Sequence, residues 1–299
     1  NDMCHYLKMD PFFRQHNHRD ITFSMMYAFS ENYVLPMSHD EVVHMKGSVL
    51  GKMPGDRWRK FAGVRGFYSY LLGHPGKKLS FMGVELGTEA EWAFQKALDW
   101  DLLENEENRQ LHDFIREANA FYHKQSPLWE VDFDWQGFEW LVADDNSNNV
   151  IAFLRRDKQG KVLICVVNFS PLAYEGYRLG VPPCRELREV LNSDAERFGG
   201  SGVLNSQPVP VEWIDSHGRE NSAAIRVPPL GAAFFECSGR PRAKPKAAKK
   251  PKETAADSGK SPEVKKPVRR AKAGSEAKKT PAAKTAAKKT GRSSAKTVK

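Results

Sequence analysis

Ser38-His39-Asp40-Glu41 is the densest group of chemistry-bearing side chains in this 299-residue chain, and it follows directly on the apolar run Tyr33-Val34-Leu35-Pro36-Met37. A carboxylate beside an imidazole can hold the hydroxyls of a ligand, stabilise a nearby cation or relay a proton. A short apolar run that breaks into polar residues reads as a buried strand delivering side chains to its C-terminal rim. In a (β/α)8 barrel that rim is where catalytic groups converge.

The segments around this tetrapeptide must position it. Pro54-Gly55-Asp56 reads as a turn ending in a helix N-cap, because the Asp carboxylate accepts from the first free amides. Trp58, Phe61, Ala62, Tyr68, Leu71 and Leu72 then fall mostly at helical spacing, and Gly73 with Pro75 closes the segment. Leu79-Ser80-Phe81-Met82-Gly83 is a second strand-like run, breaking into Glu85 and Gly87. A further periodic segment from 106 to 124 carries Leu111, Phe114, Ile115, Ala118, Phe121 and Tyr122. Strand, helix, strand, helix is the pattern of an α/β barrel or a doubly wound sheet.

From 127 to 238 the pattern changes to eight short strands: 138–143, 150–154, 161–169, 176–181, 187–191, 209–214, 223–227 and 232–237. Turn residues fall between them, at Asp144 to Asn149, Gly160, Gly199 to Gly202 and His217-Gly218. Such spacing predicts an antiparallel sandwich.

Residues 239–299 contain 21 Lys and Arg against 4 Asp and Glu and no aromatic residue, a net of +17. The whole chain is +9, so residues 1–238 are net acidic and the basic character belongs to the Lys/Ala/Pro-rich tail. Such a segment buries too little apolar surface to offset its chain entropy and is expected to be disordered. Its charge suits nucleic acid or another polyanion, bound without sequence preference; the alternative is a solvated tail that aids solubility. Cys4, Cys165, Cys184 and Cys237 lack metal-type spacing and suggest reduced thiols in a cytoplasmic protein. His16-Asn17-His18 has no evident third ligand, so neither metal nor cofactor is expected. No apolar run approaches the roughly 20 residues that cross a membrane.

The motifs resemble those of bacterial-type 1,4-α-glucan branching enzymes of the alpha-amylase superfamily. The likeness runs from Ala28-Phe29-Ser30-Glu31-Asn32 through Ser38 to His44 and Lys52-Met53-Pro54-Gly55-Asp56. It continues in Gly73 to Lys78, Phe81-Met82-Gly83, Glu91-Trp92, Leu98-Asp99-Trp100 and Glu189 to Ala195, covering residues 1 to 238. Two positions depart from the family pattern. Val84 stands where a second glycine is usual, and Met45 replaces a common glycine.

The resemblance implies the C-terminal remnant of a (β/α)8 barrel over 1–126, an antiparallel β-sandwich domain over 127–238, and the tail over 239–299. It implies an α-1,4-glucan substrate and chain transfer to a 6-hydroxyl. Asp40 becomes the carboxylate that stabilises the transition state, and His39 a donor to the same sugar. Glu85 is a supporting or subsite carboxylate, or a plain loop residue. Trp92 and Trp100 are stacking platforms in outer subsites, or buried indoles. The superfamily's nucleophile sits in Arg-x-Asp, which occurs here only as Arg155-Arg156-Asp157, running into a hairpin turn at Lys158-Gln159-Gly160. Nucleophile and acid/base are therefore expected to be missing from this chain, which reads as a C-terminal piece inactive by itself. The nearest alternative is a hydrolytic relative in the superfamily. From another class, a non-catalytic polyanion-binding protein acting through the tail also fits.

Overall fold

A computed structural model describes residues 2–241, 243 and 244. The disordered-tail expectation falls almost wholly outside the described residues. The described residues fall in one compact unit.

Three short helices, α1 (Asp2–Lys8), α2 (Pro11–Arg14) and α3 (Arg19–Thr22), precede strand β1 (Val34–Met37). A short α4 (Val49–Lys52) leads to α5 (Arg57–Gly73), strand β2 (Lys77–Ser80) and α6 (Glu106–Lys124). The N-cap reading of Asp56 is met: its carboxylate accepts from Arg59 N at 2.9 Å. β1 and β2 pair in parallel, Val34 opposite Lys77 and Met37 opposite Ser80. The second strand thus lies earlier than the 79–83 run predicted, because Phe81, Met82 and Gly83 turn away into a 3-10 helix with Gly83 at φ +86°. Two parallel strands joined through α5 make one strand–helix–strand unit, and two strands do not make a barrel.

The remaining strands are β3 (Phe138–Asp145), β4 (Val150–Arg156), β5 (Val162–Asn168), β6 (Tyr174–Gly180), β7 (Glu186–Asn192), β8 (Val209–Pro210), β9 (Ser222–Val227) and β10 (Gly231–Ser238). All eight expected strands are present, and all pair antiparallel. Only 209–214 shrinks to two residues: Pro210 has no amide to continue a ladder, and beyond it only an isolated bridge joins Glu212 to Ser222. Six strands form a sheet in the order β3-β4-β5-β10-β7-β8, and β6 pairs with β9.

Alternation along these strands separates two cores. Ala152, Leu154, Ile164, Val166 and Phe235 face Leu179, Ile225 and Val227 of the β6–β9 pair. Ile151, Phe153, Leu163, Cys165 and Phe234 face the other way, against Phe67 and Tyr70 of α5 and Phe114 and Phe121 of α6. The segments expected as 1–126 and 127–238 therefore share a core. Close approach is built in at Gly66, where a Cβ would lie 2.7 Å from Leu230 O.

Polar side chains tie the layers. Arg65, buried in α5, donates to Ser193 O at 2.9 Å, and Asp194 beside it accepts from Ser201 N, Ser201 Oγ and Val203 N at 2.7, 2.7 and 3.0 Å. The Asn192-Ser193-Asp194 motif is thus a structural joint. Arg155 is fully buried and donates to Gly73 O, Gly137 O and Asp132 Oδ1 at 2.9, 3.1 and 2.9 Å. Asp157 accepts from Gln159 N and Lys161 N in the β4–β5 turn, at 3.0 and 2.8 Å. Arg155-Arg156-Asp157 is a joint and a hairpin turn, as its sequence context indicated.

His74, wholly buried, lies 2.9 Å from Ser24 Oγ through Nε2 and 2.7 Å from Pro75 O through Nδ1. Burial pushes its pKa down to about 3. Between that value and the ordinary 6.5 the unfolded chain binds the proton and the folded one does not. His74 therefore contributes stability that is complete above about pH 6.5 and is lost as the pH falls toward its folded pKa. Urea midpoints should drop over that window, with this residue accounting for roughly 2–3 kcal/mol by about pH 4.5. A His74→Gln variant, less stable at neutral pH, should show a flatter pH dependence; an unchanged slope would assign the effect elsewhere.

Candidate active site

β1 ends at Met37, and His39, Asp40 and Glu41 form a 3-10 turn immediately beyond it. Phe81 N donates to Met37 O at 2.8 Å, extending the parallel register one step past β2 and bringing the two strand ends side by side. His39 Nε2 lies 3.2 Å from Asp40 Oδ1, and Ser38 Oγ lies 3.4 Å from Asp40 Oδ2. Both side chains are open to solvent, 56% exposed for His39 and 68% for Asp40. Asp40 faces a cleft of about 490 Å³ lined also by Asp20, Tyr27, Tyr33, Glu41 and His74. The arrangement can offer a carboxylate and an imidazole to the hydroxyls of one ligand.

The His39 ring sits 6.0 Å from Phe81, and Phe81 meets Trp92 edge-on at 5.0 Å. Trp92 is partly buried against the core and borders a second, smaller cavity of about 120 Å³ with Met82, Lys96, Leu98 and Asp99. The structure therefore brings His39, Asp40 and Trp92 into one neighbourhood, with Trp92 supported by packing. Glu85 lies on the 3-10 turn Val84–Leu86 after β2, near enough to Tyr68 to act on its hydroxyl electrostatically. It lines neither cavity. Trp100 opens a separate 3-10 turn, Trp100–Glu104, and is half exposed; among the described residues no ring contact joins it to His39, Phe81 or Trp92.

Two residues that sequence reasoning passed over hold the loop behind the site. Lys52 Nζ, buried, donates to Glu41 O and, at 2.6 Å, to Gly47 O. Burial lowers its pKa. Glu91 accepts from Gly47 N at 2.7 Å and Met45 N at 3.1 Å. Those amide donors, that of Gly47 above all, hold its carboxyl below the ordinary range. Trp92 N donates to Val42 O at 3.1 Å, so the 89–92 segment and the 42–47 loop are laced together. The only sequence signal for this was that Lys52 and Glu91 stand inside motifs of the resemblance.

The lacing explains what the Met45 departure demands. His44, Met45 and Gly47 have φ of +57°, +65° and +74°, the left-handed region that favours glycine. Met45 occupies it with a side chain 93% exposed, so nothing packs against the methionine to offset the strain. The hydrogen bond from its amide to Glu91 does. Val84 is simpler, because Gly83 takes the positive φ and Val84 packs on the core.

Residues 140–238 match the family model described as the alpha amylase C-terminal all-beta domain. The chain is 48% identical over 240 residues to a protein of Halothermothrix orenii named 1,4-alpha-glucan branching enzyme GlgB, covering 79% of this chain and 38% of that one. It is 47% identical over 243 residues to a protein of the same name from Rubrobacter xylanophilus (81% of this chain, 33% of the relative). It is 46% identical over 240 residues to another from Aquifex aeolicus (80% and 38%). The chain thus spans between a third and two-fifths of the length of these relatives. A solved structure described as alpha-amylase from H. orenii aligns with a TM-score of 0.48 at 15% identity, over 79% of this chain and 46% of that one.

Glu91→Ala should speed hydrogen exchange at the Met45 and Gly47 amides by about tenfold or more, because both lose their acceptor. The global unfolding midpoint should hardly move, and unchanged exchange at both amides would remove Glu91 from this role. By the strand-end motif, the cleft and the extended sequence match, this chain is a relative of the 1,4-alpha-glucan branching enzymes, as its motifs predicted.

Proposed function

We propose that residues 1–238 supply one side of a branching site acting on α-1,4-glucan, with Asp40 stabilising the transition state and His39 donating to the same sugar. The observation that carries this reading is the His39–Asp40 pair on the turn after a parallel strand, with Asp40 facing the larger cleft, within a segment nearly half identical to enzymes of that name. As a glucosyl ring flattens toward an oxocarbenium ion, hydrogen bonds to its hydroxyls strengthen, and a nearby carboxylate favours the positive charge. Chain transfer to a 6-hydroxyl, as in glycogen biosynthesis, then requires that an acceptor glucan outcompete water. In the same reading Trp92 and Trp100 are stacking platforms of outer subsites, Glu85 is a supporting or subsite carboxylate, and the setting is the cytoplasm. No helix among the described residues is long and apolar enough to cross a membrane.

In this reading β1 and β2 are two neighbouring strands of a (β/α)8 barrel. Support comes from their exposure: Val34 and Leu79 are open to solvent, whereas parallel strands are ordinarily covered on both faces. The nucleophile and acid/base are not among residues 1–299. Retaining chemistry needs two carboxyls about 5 Å apart, and the single Arg-x-Asp triplet is spent on a hairpin.

Purified residues 1–299 should therefore form no new α-1,6 linkages from amylose by NMR; their appearance would refute the missing-nucleophile reading. In a full-length branching enzyme carrying residues 1–238 in place of its own matching segment, Asp40→Ala should lower kcat by several orders of magnitude. Its unfolding midpoint should stay put, since an exposed rim carboxylate buries no core surface. His39→Ala should cost on the order of 10²-fold. Branching undiminished by Asp40→Ala would end the assignment, and reducing ends released without branches would favour a hydrolase.

The tail carries a second, separable reading through its +17 charge over residues 239–299. Non-specific DNA binding should fall steeply with salt, with a slope reporting the phosphates neutralised. Deleting 240–299 should abolish it and leave glucan affinity unchanged, because the glucan is uncharged. Equal DNA retardation by the full and shortened chains in mobility-shift titrations would leave the tail no such part.

A further inference from the structure

Cys184 and Cys237 lie far along the chain from the cleft and take no part in the reading above. Cys237 is the next-to-last residue of β10, and Cys184 sits just before β7. The two strands are antiparallel neighbours, Cys237 opposite Leu187 and Ser238 opposite Glu186. Arg185 N donates to Ser238 O at 3.0 Å, drawing the bend at 183–185 onto the end of β10. Cys184 lies close enough to Cys237, and to the amides of Glu186 and Ser238, for these groups to act on its ionisation. Cys184 is 5% exposed, and Cys237 is partly open to solvent. Both pack in the core between the two sheets, whereas Cys4 and Cys165 lie in the other core.

The surroundings of the two sulfurs differ. The Cys237 thiol and the two amides favour the Cys184 thiolate, holding its pKa below the ordinary thiol value against the effect of burial. The Cys237 thiol is held up, first by Cys184 and then by burial, so it keeps its proton. Cys184 is the better nucleophile, and its protonated partner stands on the adjacent strand in the same core, the arrangement of a reactive site with its resolving thiol.

We propose that Cys184 and Cys237 are an oxidation site that closes to an intrachain disulfide on reaction with a small peroxide. The Cys184 thiolate attacks one peroxide oxygen and the O–O bond breaks. Hydroxide leaves, taking up a proton to become water, and Cys184 becomes a sulfenic acid, oxidised by two electrons. The Cys237 sulfur then attacks the Cys184 sulfur, forming the S–S bond and expelling a second hydroxide, which takes the Cys237 thiol proton. The sum is two thiols and one hydrogen peroxide giving one disulfide and two waters. Hydrogen peroxide is small enough to reach a nearly buried sulfur where a glutathione disulfide is not. The new bond would tie the start of β7 to the end of β10, the point from which the basic residues 239–299 continue, and would restrict the unfolded chain between 184 and 237.

The test treats the full chain with a small molar excess of hydrogen peroxide, then alkylates free thiols under denaturing conditions and weighs the protein. Of the four cysteines, two should escape alkylation, and a proteolytic map should join the Cys184 and Cys237 peptides. The unfolding temperature should rise by a few degrees, on the order expected for a loop-closing disulfide, and dithiothreitol should reverse it. Cys237→Ser should leave Cys184 as a sulfenic acid trapped by dimedone, and Cys184→Ser should leave the other three thiols free. Four alkylated cysteines in the peroxide-treated wild type would overturn the proposal. So would a bridge involving Cys4, Cys165 or a second chain.

Discussion

The Arg155–Asp132 pair fixes the geometry on which the candidate site depends. Both side chains are withdrawn from water and lie 2.9 Å apart. Asp132 Oδ1 also accepts from Gly76 N at 3.0 Å, while Lys77 Nζ lies 3.1 Å from Oδ2. Burial would drive the Asp132 carboxyl up, but Arg155, Lys78 and the Gly76 amide together hold it below the ordinary range, so it stays charged. Arg155 at the same time holds the last carbonyl of α5, that of Gly73. One guanidinium thereby joins the end of the helix, the root of β2 and the face of the antiparallel sheet. Removing either partner strands a buried charge, at a typical cost of about 3–5 kcal/mol. The dependence runs outward from there. The root of β2 sets its register with β1, and β1 delivers His39 and Asp40.

Much of this organisation was legible because it is local. Asp56 caps its helix through an amide three residues on, Gly160 takes φ +83° in the turn read there, and α6 runs from Glu106 to Lys124 along the periodic segment. Strand positions in the antiparallel part followed alternation and turn residues, since each strand buries one face per core. β2 was read too late because Lys77 and Lys78 look like a charged loop. Lys78 is in fact inward-facing, its Nζ bonded to His74 O and, at 2.6 Å, to Gly76 O, and burial draws its pKa down to about 7. Nothing in a run of two lysines distinguishes a solvated pair from one whose ammonium groups are held, Lys78 by the carbonyls of the preceding turn and Lys77 by Trp129 O and Asp132.

The same limit explains the site. His39 and Asp40 were visible because they are contiguous and stand after an apolar run. Lys52 and Glu91 were not, because each acts on backbone groups many residues away: Glu41 and Gly47 for the one, Met45 and Gly47 for the other. A methionine in the left-handed region is unfavourable in isolation, by about 1 kcal/mol or more. The loop tolerates it because two ionic side chains hold its backbone, Glu91 through the Met45 and Gly47 amides and Lys52 through the Glu41 and Gly47 carbonyls. Departures from a motif of this kind are better judged by what grips the backbone than by the substituted side chain.

Exposure of the pair carries a further consequence for mechanism. A carboxylate two-thirds open to water is screened, and at a separation near 4 Å two unit charges in water interact by only about 1 kcal/mol. An oxocarbenium-like transition state needs several times that from its surroundings. In the proposed reading, Asp40 can deliver it only where water is displaced and the local dielectric falls. Three features bear on that: the open apolar residues of β1 and β2, the cleft beside Asp40, and the proposed glucan chain that would fill it. Covering the strands and filling the cleft would dry the carboxylate without moving it, because Ser38, the β1–β2 register and the Glu91–Lys52 lacing already hold the turn in place. In the proposed reading the 39–41 turn is a preorganised half of a site whose electrostatic strength would come from what covers it.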